Sequence, residues 1–286
     1  MGAVAPPQQG SRPRFARIAL IGKLRGADVA ASLRELRGFL EKRGCEVLLD
    51  NQGEADLAIV VGGDGAMLAA ARELVRHHVP LVGVNLGRVG FMTDIGRQDM
   101  LSGIGAILDG EGTLEERTLL DAEILREGAA VLRTLALNEA VLGKGAEARL
   151  IEFEVALDGE YMYTLRADGL IVATPTGSTA YAMSAQGPIL HPAVQAFSLV
   201  PLNPHTLSAR PVSVSDRAAI EIRLLRAIDA RAHFDGFALT DMHEGDRLVL
   251  RRSADSVRFV HPPGYRYFAT LREKLRWSEV LDKARE

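Results

Sequence analysis

The sequence predicts an α/β N-terminal domain with a Rossmann-like parallel sheet, followed by a β-rich, sandwich-like C-terminal domain. Strand and helix patterns alternate over the first third of the chain, which is typical of βαβ units and hence of a parallel sheet. After about Gly112 the chain is mostly extended, and turns such as Asp158-Gly159 separate runs of β-forming residues. An apolar content of 47% over 286 residues is enough for two modest cores.

The elements of the first domain follow from hydrophobic spacing. Residues 28–42 are predicted as a helix because apolar side chains recur at helical spacing from Val29 to Leu40, and Gly44 then ends the pattern. Short apolar runs predict strands at 15–21, 45–49, 57–61 and 81–84, and periodic runs predict further helices at 67–75 and 100–108.

The second domain is predicted from runs of β-forming residues. These extended segments are 119–125, 131–142, 150–157, 161–173, 219–225, 247–251 and 257–260, and a helical tail covers 267–277. The predicted organisation is a disordered leader at 1–13, an α/β phosphate-loop domain at 14–112, a β-rich domain at 113–264 and a helical segment at 265–286 that packs back on the domains.

Composition excludes several classes of function. The net charge of −3 and pI near 6.2 give no electrostatic reason to expect nucleic acid or an anionic membrane as partner. Cys45 is the only cysteine, which excludes an intrachain disulfide and a cysteine-based metal cluster and fits a reducing cytoplasm. The Gly/Pro/Gln-rich leader lacks the apolar core of a signal peptide, and no apolar run approaches the ~20 residues that span a bilayer.

The loop Gly62-Gly63-Asp64-Gly65 follows a buried strand and precedes a helical pattern. Glycines permit a sharp turn with positive φ and let a phosphate approach bare N–H groups. A single carboxylate there can accept a proton from a hydroxyl. The pattern favours phosphoryl transfer, and the alternative is an ordinary turn in which Asp64 caps the next helix.

A second polar segment runs from Asp168 to Tyr181 and continues into Ser184-Ala-Gln-Gly-Pro188. It delivers four hydroxyls within six residues to the start of a helix predicted at Thr179, where N–H groups lack helical partners. Such a cluster suits ribose, phosphate or an amide. A simple N-cap accounts for one or two of these hydroxyls, so we favour a ligand site.

Together these segments resemble bacterial NAD kinases, which transfer a phosphoryl group to the adenosine ribose 2′-hydroxyl of NAD to make NADP. The resemblance covers roughly residues 15 to 280 and is most specific in the Thr-Pro-Thr-Gly-Ser-Thr-Ala-Tyr run. The double-glycine loop alone is shared with phosphofructokinases and diacylglycerol-type lipid kinases. The matching segments are Gly62–Gly65, Asn85–Phe91, Leu137–Leu142, Asp168–Tyr181 and Pro204–Pro211.

The resemblance implies a role for each matching position. Asp64 corresponds to the proton acceptor, beside Gly62 and Gly63 of the phosphate loop, in an active site between the two domains. The positions that match NAD-binding residues are Asp64, Gly65, Asn138, Glu139, Arg149, Arg166, Asp168, Thr179, Ala180, Tyr181 and Ser184. An arginine at 166 resembles the NAD-preferring proteobacterial type.

Three positions depart from the family pattern. Ala66 replaces a residue with a hydroxyl or amide after the phosphate loop, Gln186 replaces a glycine, and Phe237 replaces a glutamine. The first puts a contact to the donor phosphates in doubt, and the third removes a polar contact. None of the three affects Asp64.

The resemblance also implies the substrates and partners. ATP is the expected donor with Mg²⁺ or another divalent cation held by phosphates and waters, without protein metal ligands or a tightly bound organic cofactor. A homodimer or homotetramer is expected, with no nucleic acid or membrane partner. The alternatives are a lipid kinase and a non-catalytic dinucleotide sensor. Polyphosphate as donor and feedback by NADPH are left open.

Overall fold

The computed structural model describes residues 15–22, 27–49, 52–87, 90–146 and 149–277, and the chain divides into two units. The first unit contains residues up to Glu115 together with those from Arg258 onward, and the second contains Glu116–Val257. The residues from 258 to 264, predicted to end the β-rich domain, thus group with the first unit. The predicted leader at 1–13 and residues 278–286 of the predicted C-terminal segment lie outside the described residues.

A parallel sheet forms the centre of the first unit. Its strands are β1 (Arg17–Gly22), β2 (Glu46–Leu48), β3 (Leu57–Val61), β4 (Leu81–Asn85) and the short β5 (Ile95–Gly96), and its first three helices are α1 (Ala27–Lys42), α2 (Asp64–Leu74) and α3 (Met100–Leu108). The strands lie in the order β2-β1-β3-β4, and β5 pairs with β4. Every residue of β3 and β4 is buried, as expected for strands covered on both faces.

Burial against α1 and α3 builds the core of this unit. Leu36 and Leu40 of α1 and Ile104 of α3 are fully buried in one cluster with Ile18 and Ile59 of the sheet. The predicted α/β parallel-sheet domain is confirmed. Its helix α2 begins at Asp64, three residues before the predicted start at Met67, because the loop aspartate and glycine already have helical conformation.

The pairing of β3 with β4 positions the phosphate loop. Val61 lies opposite Val84, and the N–H of Gly62 donates to the carbonyl of Val84 at 2.9 Å. Because both strands run in the same direction, the loops that follow them leave the sheet at the same edge. Ligands of open α/β sheets bind at this edge.

The second unit is built from antiparallel strands. They are β6 (Thr113–Arg126), β7 (Ala129–Ala136), β8 (Glu139–Lys144), β9 (Ile151–Leu157), β10 (Glu160–Ala167), β11 (Gly169–Ala173), β12 (Ala196–Leu202), β13 (Val212–Ser215), β14 (Ile220–Arg226), β15 (Ala230–Phe234), β16 (Ala238–Met242) and β17 (Arg247–His261). One sheet has the order β13-β12-β11-β8-β15-β16. In the other group β10, β9, β14 and the first part of β17 follow one another, and β6 pairs with β7.

The core of the second unit lies between these two layers. Phe197 and Phe234 from the six-stranded sheet join Phe153, Ile222 and Leu248 from the other layer in one buried cluster. Strand β9 alternates buried and half-buried residues, which is the pattern of a strand with one face on the core. The predicted β-rich, sandwich-like architecture is confirmed.

Several local predictions were wrong in detail. The segments predicted to be continuous at 131–142 and 161–173 are broken at Asn138 and at Asp168, and the two runs from 247 to 260 form the single strand β17. The helix predicted from Thr179 is a 3₁₀ turn at Gly177–Thr179 followed by the one-turn helix α4 (Tyr181–Ser184). Strands β12, β13, β15 and β16 were not predicted.

The predicted tail helix is present as α5 (Tyr267–Leu275), in which Leu271 is the buried residue. Among the described residues, none of the helices is both long enough and apolar enough to cross a bilayer.

Candidate active site

Asp64 is the first residue of α2, and its carboxylate is held by the loop that follows β4. The N–H of Phe91 donates to Oδ2 at 2.9 Å, and the N–H of Met92 donates to Oδ1 at 3.1 Å. The N-cap of α2 is Gly63, without a side-chain capping bond. Asp64 therefore does not serve as the cap of its own helix, which was the alternative to a functional role.

Gly90 makes this arrangement possible. A Cβ atom at position 90 would lie 2.0 Å from Oδ1 of Asp64, so any larger residue would displace the carboxylate or the loop. The N–H of Gly90 donates to Oγ1 of Thr93 at 2.9 Å, and the Asn85 amide donates to the same oxygen at 3.2 Å. These bonds fix the loop on which Asp64 rests.

Of the glycines in the phosphate loop, Gly62 has the positive φ that the sequence predicted. Gly62 has φ 159°, close to extended, and Gly63 is extended with φ −90°. Gly62 is needed for space, because its Cβ would lie 2.7 Å from that of Ala66. Added Cβ atoms at Gly63 and Gly65 would meet no atom of the described residues within 4 Å. The start of α2 therefore presents open backbone, which suits an anionic group.

Asn138 and Glu139 form the polar centre of the second unit. They lie where β8 begins and are only 6% and 8% exposed. Among the described residues, Oδ1 of Asn138 and Oε2 of Glu139 have no hydrogen-bond partner. A buried polar atom without a partner is costly, so both atoms are ready to bind a polar ligand.

Glu139 lines a cavity of about 510 Å³ within the second unit. The cavity brings together three residues that the sequence predicted, Glu139, Asp168 and Tyr181. It also contains two charged or titratable side chains that the sequence did not indicate, Lys144 and His233. A pocket of this size, partly apolar with converging polar groups, is typical of a small-molecule site.

The charges around the cavity have definite partners. Lys144 Nζ lies 2.6 Å from Oδ1 of Asp168, and the Asn203 amide donates to Oδ2 at 2.9 Å. These two bonds lower the pKa of Asp168, with that from Lys144 the larger cause. Burial, followed by the charge of Arg231, lowers the pKa of His233.

Glu139 has an unusual acidity. Burial raises its pKa to about 7, the negative charge of Asp235 contributes in the same direction, and a hydrogen bond from the Tyr181 backbone opposes both. A glutamate in this condition changes charge near neutral pH, which is a common property of groups in functional sites.

Two hydroxyls of the loop after β11 are bonded within the protein. Thr174 and Ser178 are completely buried. Oγ1 of Thr174 donates to the Leu137 carbonyl and accepts from Gly177 N–H, while Oγ of Ser178 donates to the Pro175 carbonyl at 2.6 Å. These two hydroxyls hold the loop together and are not free for a ligand.

The other predicted residues of the second unit are not among those that line the cavity. Thr179 donates to the Thr176 carbonyl at 3.1 Å, and Ala180 and Ser184 flank Tyr181, whose ring is 48% exposed. Arg149 and Arg166 are exposed and do not line the 510 Å³ cavity. Lys144 and His233 could not have been recognised in the sequence, because neither belongs to a motif and they come to one cavity only through the pairing of β8 with β15.

The described residues contain no group of three His, Cys, Asp or Glu side chains arranged to hold a metal ion.

Comparison with known proteins decides the family. The model of the ATP-NAD kinase N-terminal domain matches residues 26–111, and that of the ATP-NAD kinase C-terminal domain matches residues 137–262. The chain belongs to the NAD kinase family. The curated NAD kinase of Aromatoleum aromaticum is 52% identical over 285 residues, covering 92% of this chain and 95% of that protein. That of Thiobacillus denitrificans is 46% identical over 286 residues, covering 93% and 99%.

Solved structures agree with this family. An NAD kinase from Archaeoglobus fulgidus in complex with ATP has a TM-score of 0.77 and 28% identity, over 91% of this chain and 98% of that one. Yeast NADH kinase complexed with NADH has a TM-score of 0.82 over 92% and 88%, and its 20% identity supports the fold alone. The activity of the chain is accordingly that of an NAD kinase, a phosphotransferase.

Proposed function

We propose that Asp64 is the proton acceptor when this enzyme transfers the γ-phosphoryl group of ATP to the adenosine ribose 2′-hydroxyl of NAD. The ribose oxygen attacks the γ-phosphorus, its proton passes to the Asp64 carboxylate, and the bond to the β-phosphate oxygen breaks. The products are NADP and ADP. Catalysis of this kind rests on positioning and electrostatic stabilisation more than on covalent chemistry.

The observation that carries the proposal is the setting of the Asp64 carboxylate. Two backbone N–H groups orient it, and it stands at the uncapped start of α2 beside the open backbone of Gly63 and Gly65. The helix N-terminus favours negative charge, so phosphate oxygens can approach there while the carboxylate accepts a proton from a hydroxyl.

We further propose that the cavity in the second unit binds NAD. The unpartnered atoms of Asn138 and Glu139 support this, because an amide can bind a base edge and a carboxylate can accept from ribose hydroxyls. Tyr181 offers an aromatic face for a ring, and we assign Thr179, Ala180 and Ser184, which neighbour it along the chain, to the same site. Asp168 is in the cavity wall beside Lys144.

Several finer predictions remain proposals. These are Mg²⁺ or another divalent cation with the ATP, a homodimer or homotetramer, and a cytoplasmic location. The preference for NAD over NADH rests on Arg166, which is exposed on β10 opposite Glu152. We assign no contact with NAD to Arg149.

The test compares Asp64→Asn with the wild type, using Mg-ATP and either NAD or NADH. NADP formation is read with an NADP-specific dehydrogenase, and NADPH formation by chromatography. We expect kcat to fall at least about 100-fold, as loss of a general base commonly does, with little change in NAD affinity. Asp28→Asn is the matched control, because Asp28 is an exposed acid in the first turn of α1 and should retain full activity.

Retained kcat in Asp64→Asn would remove Asp64 from the mechanism. Wild-type protein that binds NAD without forming NADP would favour a dinucleotide sensor. Phosphorylation of a diacylglycerol in place of NAD would favour the lipid kinase.

A further inference from the structure

Asp235 has the geometry of a clamp on the Leu137–Glu139 segment. Its Oδ2 accepts a hydrogen bond from Leu137 N–H at 2.8 Å, and its Oδ1 accepts from Asn138 N–H at 2.7 Å and Glu139 N–H at 3.1 Å. A carboxylate that accepts three consecutive amides fixes the backbone direction of that segment. The side chains of Asn138 and Glu139 therefore have their positions set from the β15–β16 turn.

The turn that contains Asp235 has an uncommon backbone conformation. Asp235 has φ +51° and Gly236 has φ +72°, so two successive residues are left-handed. Aspartate adopts the left-handed region more readily than most residues, but the conformation still costs conformational energy. Such a conformation persists where the surrounding contacts determine it, as the three amides do here.

The opposite side of the segment is also fixed. A Cβ atom at Gly177 would lie 2.0 Å from the Asn138 carbonyl oxygen, and Thr174 N–H donates to that oxygen at 2.9 Å. The Asn138 backbone is thus enclosed between the loop after β11 and the Asp235 carboxylate. Loss of either contact would let the side chains of Asn138 and Glu139 move from these positions.

Asp235 also acts on the charge of Glu139. The other titratable groups of the cavity wall are Lys144, Asp168, His233 and the hydroxyl of Tyr181. Lys144 and Asp168 are paired with each other at 2.6 Å, and burial disfavours a charge on His233. The negative charge of Asp235 adds to burial in opposing the ionisation of Glu139.

We propose that Asp235 is a positioning residue of the NAD site, which orders Asn138 and Glu139 through their backbone amides and places its own negative charge beside Glu139. This inference rests on the proposed function of the cavity. The ionised form of Glu139 accepts hydrogen bonds from ribose hydroxyls, so affinity for NAD rises as the pH increases through the ionisation of Glu139.

Asp235→Asn tests the proposal, because asparagine keeps the shape and tolerates the left-handed conformation but removes the charge and places a donor against an N–H group. The KM for NAD is measured from pH 5.5 to 9 in the wild type, Asp235→Asn and Glu139→Gln. We expect KM to rise about 10- to 100-fold at pH 8 in Asp235→Asn, as loss of charge-assisted bonds implies. The midpoint of its pH dependence should move to lower pH, and Glu139→Gln should lack that transition.

A second readout does not need NAD. The carboxyl ¹³C signal of Glu139, identified by its absence in Glu139→Gln, should titrate near pH 7 in the wild type and at lower pH in Asp235→Asn. Asp229→Asn is the matched control. Asp229 precedes the other end of β15, and its carboxylate accepts a hydrogen bond from Ala146 N–H at 2.8 Å, beyond the far end of β8. Replacing it should therefore leave unchanged the KM for NAD, the midpoint of its pH dependence and the midpoint of the Glu139 titration.

The possible results separate the two proposals. A wild type that makes no NADP, with a Glu139 signal that still shifts in Asp235→Asn, would overturn the proposed function and leave the clamp and its electrostatic effect standing. An active Asp235→Asn variant with wild-type KM, or with KM raised equally at every pH and an unshifted Glu139 signal, would overturn this inference alone. If Asp235→Asn does not fold, Asp235→Ser, which keeps one acceptor oxygen, is judged by the same two readouts.

Discussion

The Asp64 carboxylate depends on a residue that has no side chain. Gly90 lies against its Oδ1, and Phe91 and Met92 supply the N–H groups that orient it. The loop is in turn fixed by Thr93. A group that reacts must be held in a productive direction, and here the backbone of a neighbouring loop does this.

Gly90→Ala is therefore expected to damage catalysis. The new methyl group would lie 2.0 Å from Oδ1 of Asp64, so the carboxylate or the loop must move. We expect kcat to fall about 10- to 100-fold, because displacements near 1 Å cost this much, while the KM for NAD changes little. Gly87→Ala is the control, since among the described residues its Cβ would meet only Asn85 Oδ1, at 3.8 Å. Equal kcat values in the two variants would contradict the argument.

Among the structural elements, the loop between β11 and α4 shows how polar residues can serve structure. Thr174 bonds the Leu137 carbonyl and Gly177 N–H, and Ser178 bonds the Pro175 carbonyl and accepts Leu190 N–H at 2.9 Å. Buried polar backbone must find partners, and a run of hydroxyls supplies them where no ladder exists. The loop thereby connects to the segment that contains Asn138.

Thr174→Val tests this role at constant shape. Valine leaves the buried Leu137 carbonyl and Gly177 N–H without their partner, which costs about 1–3 kcal/mol for each group left unpaired. We expect the free energy of unfolding in urea to fall by about 2 kcal/mol or more and the KM for NAD to rise. Thr113→Val at the exposed start of β6 should do neither. An unchanged stability would show that water replaces the hydroxyl.

At the scale of the whole molecule, strand β6 leads the chain out of the first unit and strand β17 leads it back. Within the first unit, His261 of β17 contacts Glu115 of β6. Its Nδ1 lies 2.6 Å from Asp94 Oδ2, and its Nε2 lies 2.7 Å from Glu115 Oε2. The ring stacks on Tyr265 with centroids 3.8 Å apart. His261 is the last residue of β17, and Glu115 lies near the start of β6. One buried imidazole therefore links the end of β17 to the start of β6.

His261 should make stability depend on pH. Burial lowers its pKa, but the hydrogen bonds and charges of Asp94 and Glu115 more than offset this, so its pKa is raised. A raised pKa in the folded state gives a stabilisation that is complete below the unfolded value of about 6.5 and is lost as the pH rises through the folded value.

His261→Gln is the variant that tests this dependence. We expect it to lower the unfolding free energy by about 2 kcal/mol or more at pH 6 and by less at pH 9, measured by urea denaturation. His205→Gln, at an exposed histidine, should show no such difference. An equal loss at pH 6 and pH 9 would contradict a charged His261.

Much of the fold could be read from periodicity. The α1 stripe from Val29 to Leu40 and the apolar run at 57–61 were predicted nearly to their ends, because apolar residues recur at helical spacing in α1 and form an unbroken, fully buried run in β3. Strands β15 and β16 were missed since charged residues such as Arg231 and Asp241 interrupt their pattern. Those residues face each other as an ion pair, with 3.3 Å between Arg231 Nε and Asp241 Oδ1, which no local pattern reveals.

The sequence by itself determined the fold class, the family and the candidate residues Asp64, Asn138 and Glu139, because glycine-rich turns, apolar periodicity and specific motifs are local properties. Only the tertiary structure places the Asp64 carboxylate against Gly90. It also brings Asp235 to the N–H groups of Asn138 and Glu139, which lie 97 and 96 residues away along the chain. Burial and neighbouring charge then set the acidity of Glu139. These properties depend on which atoms the fold brings together, and pairing between distant strands establishes that only when the chain has folded.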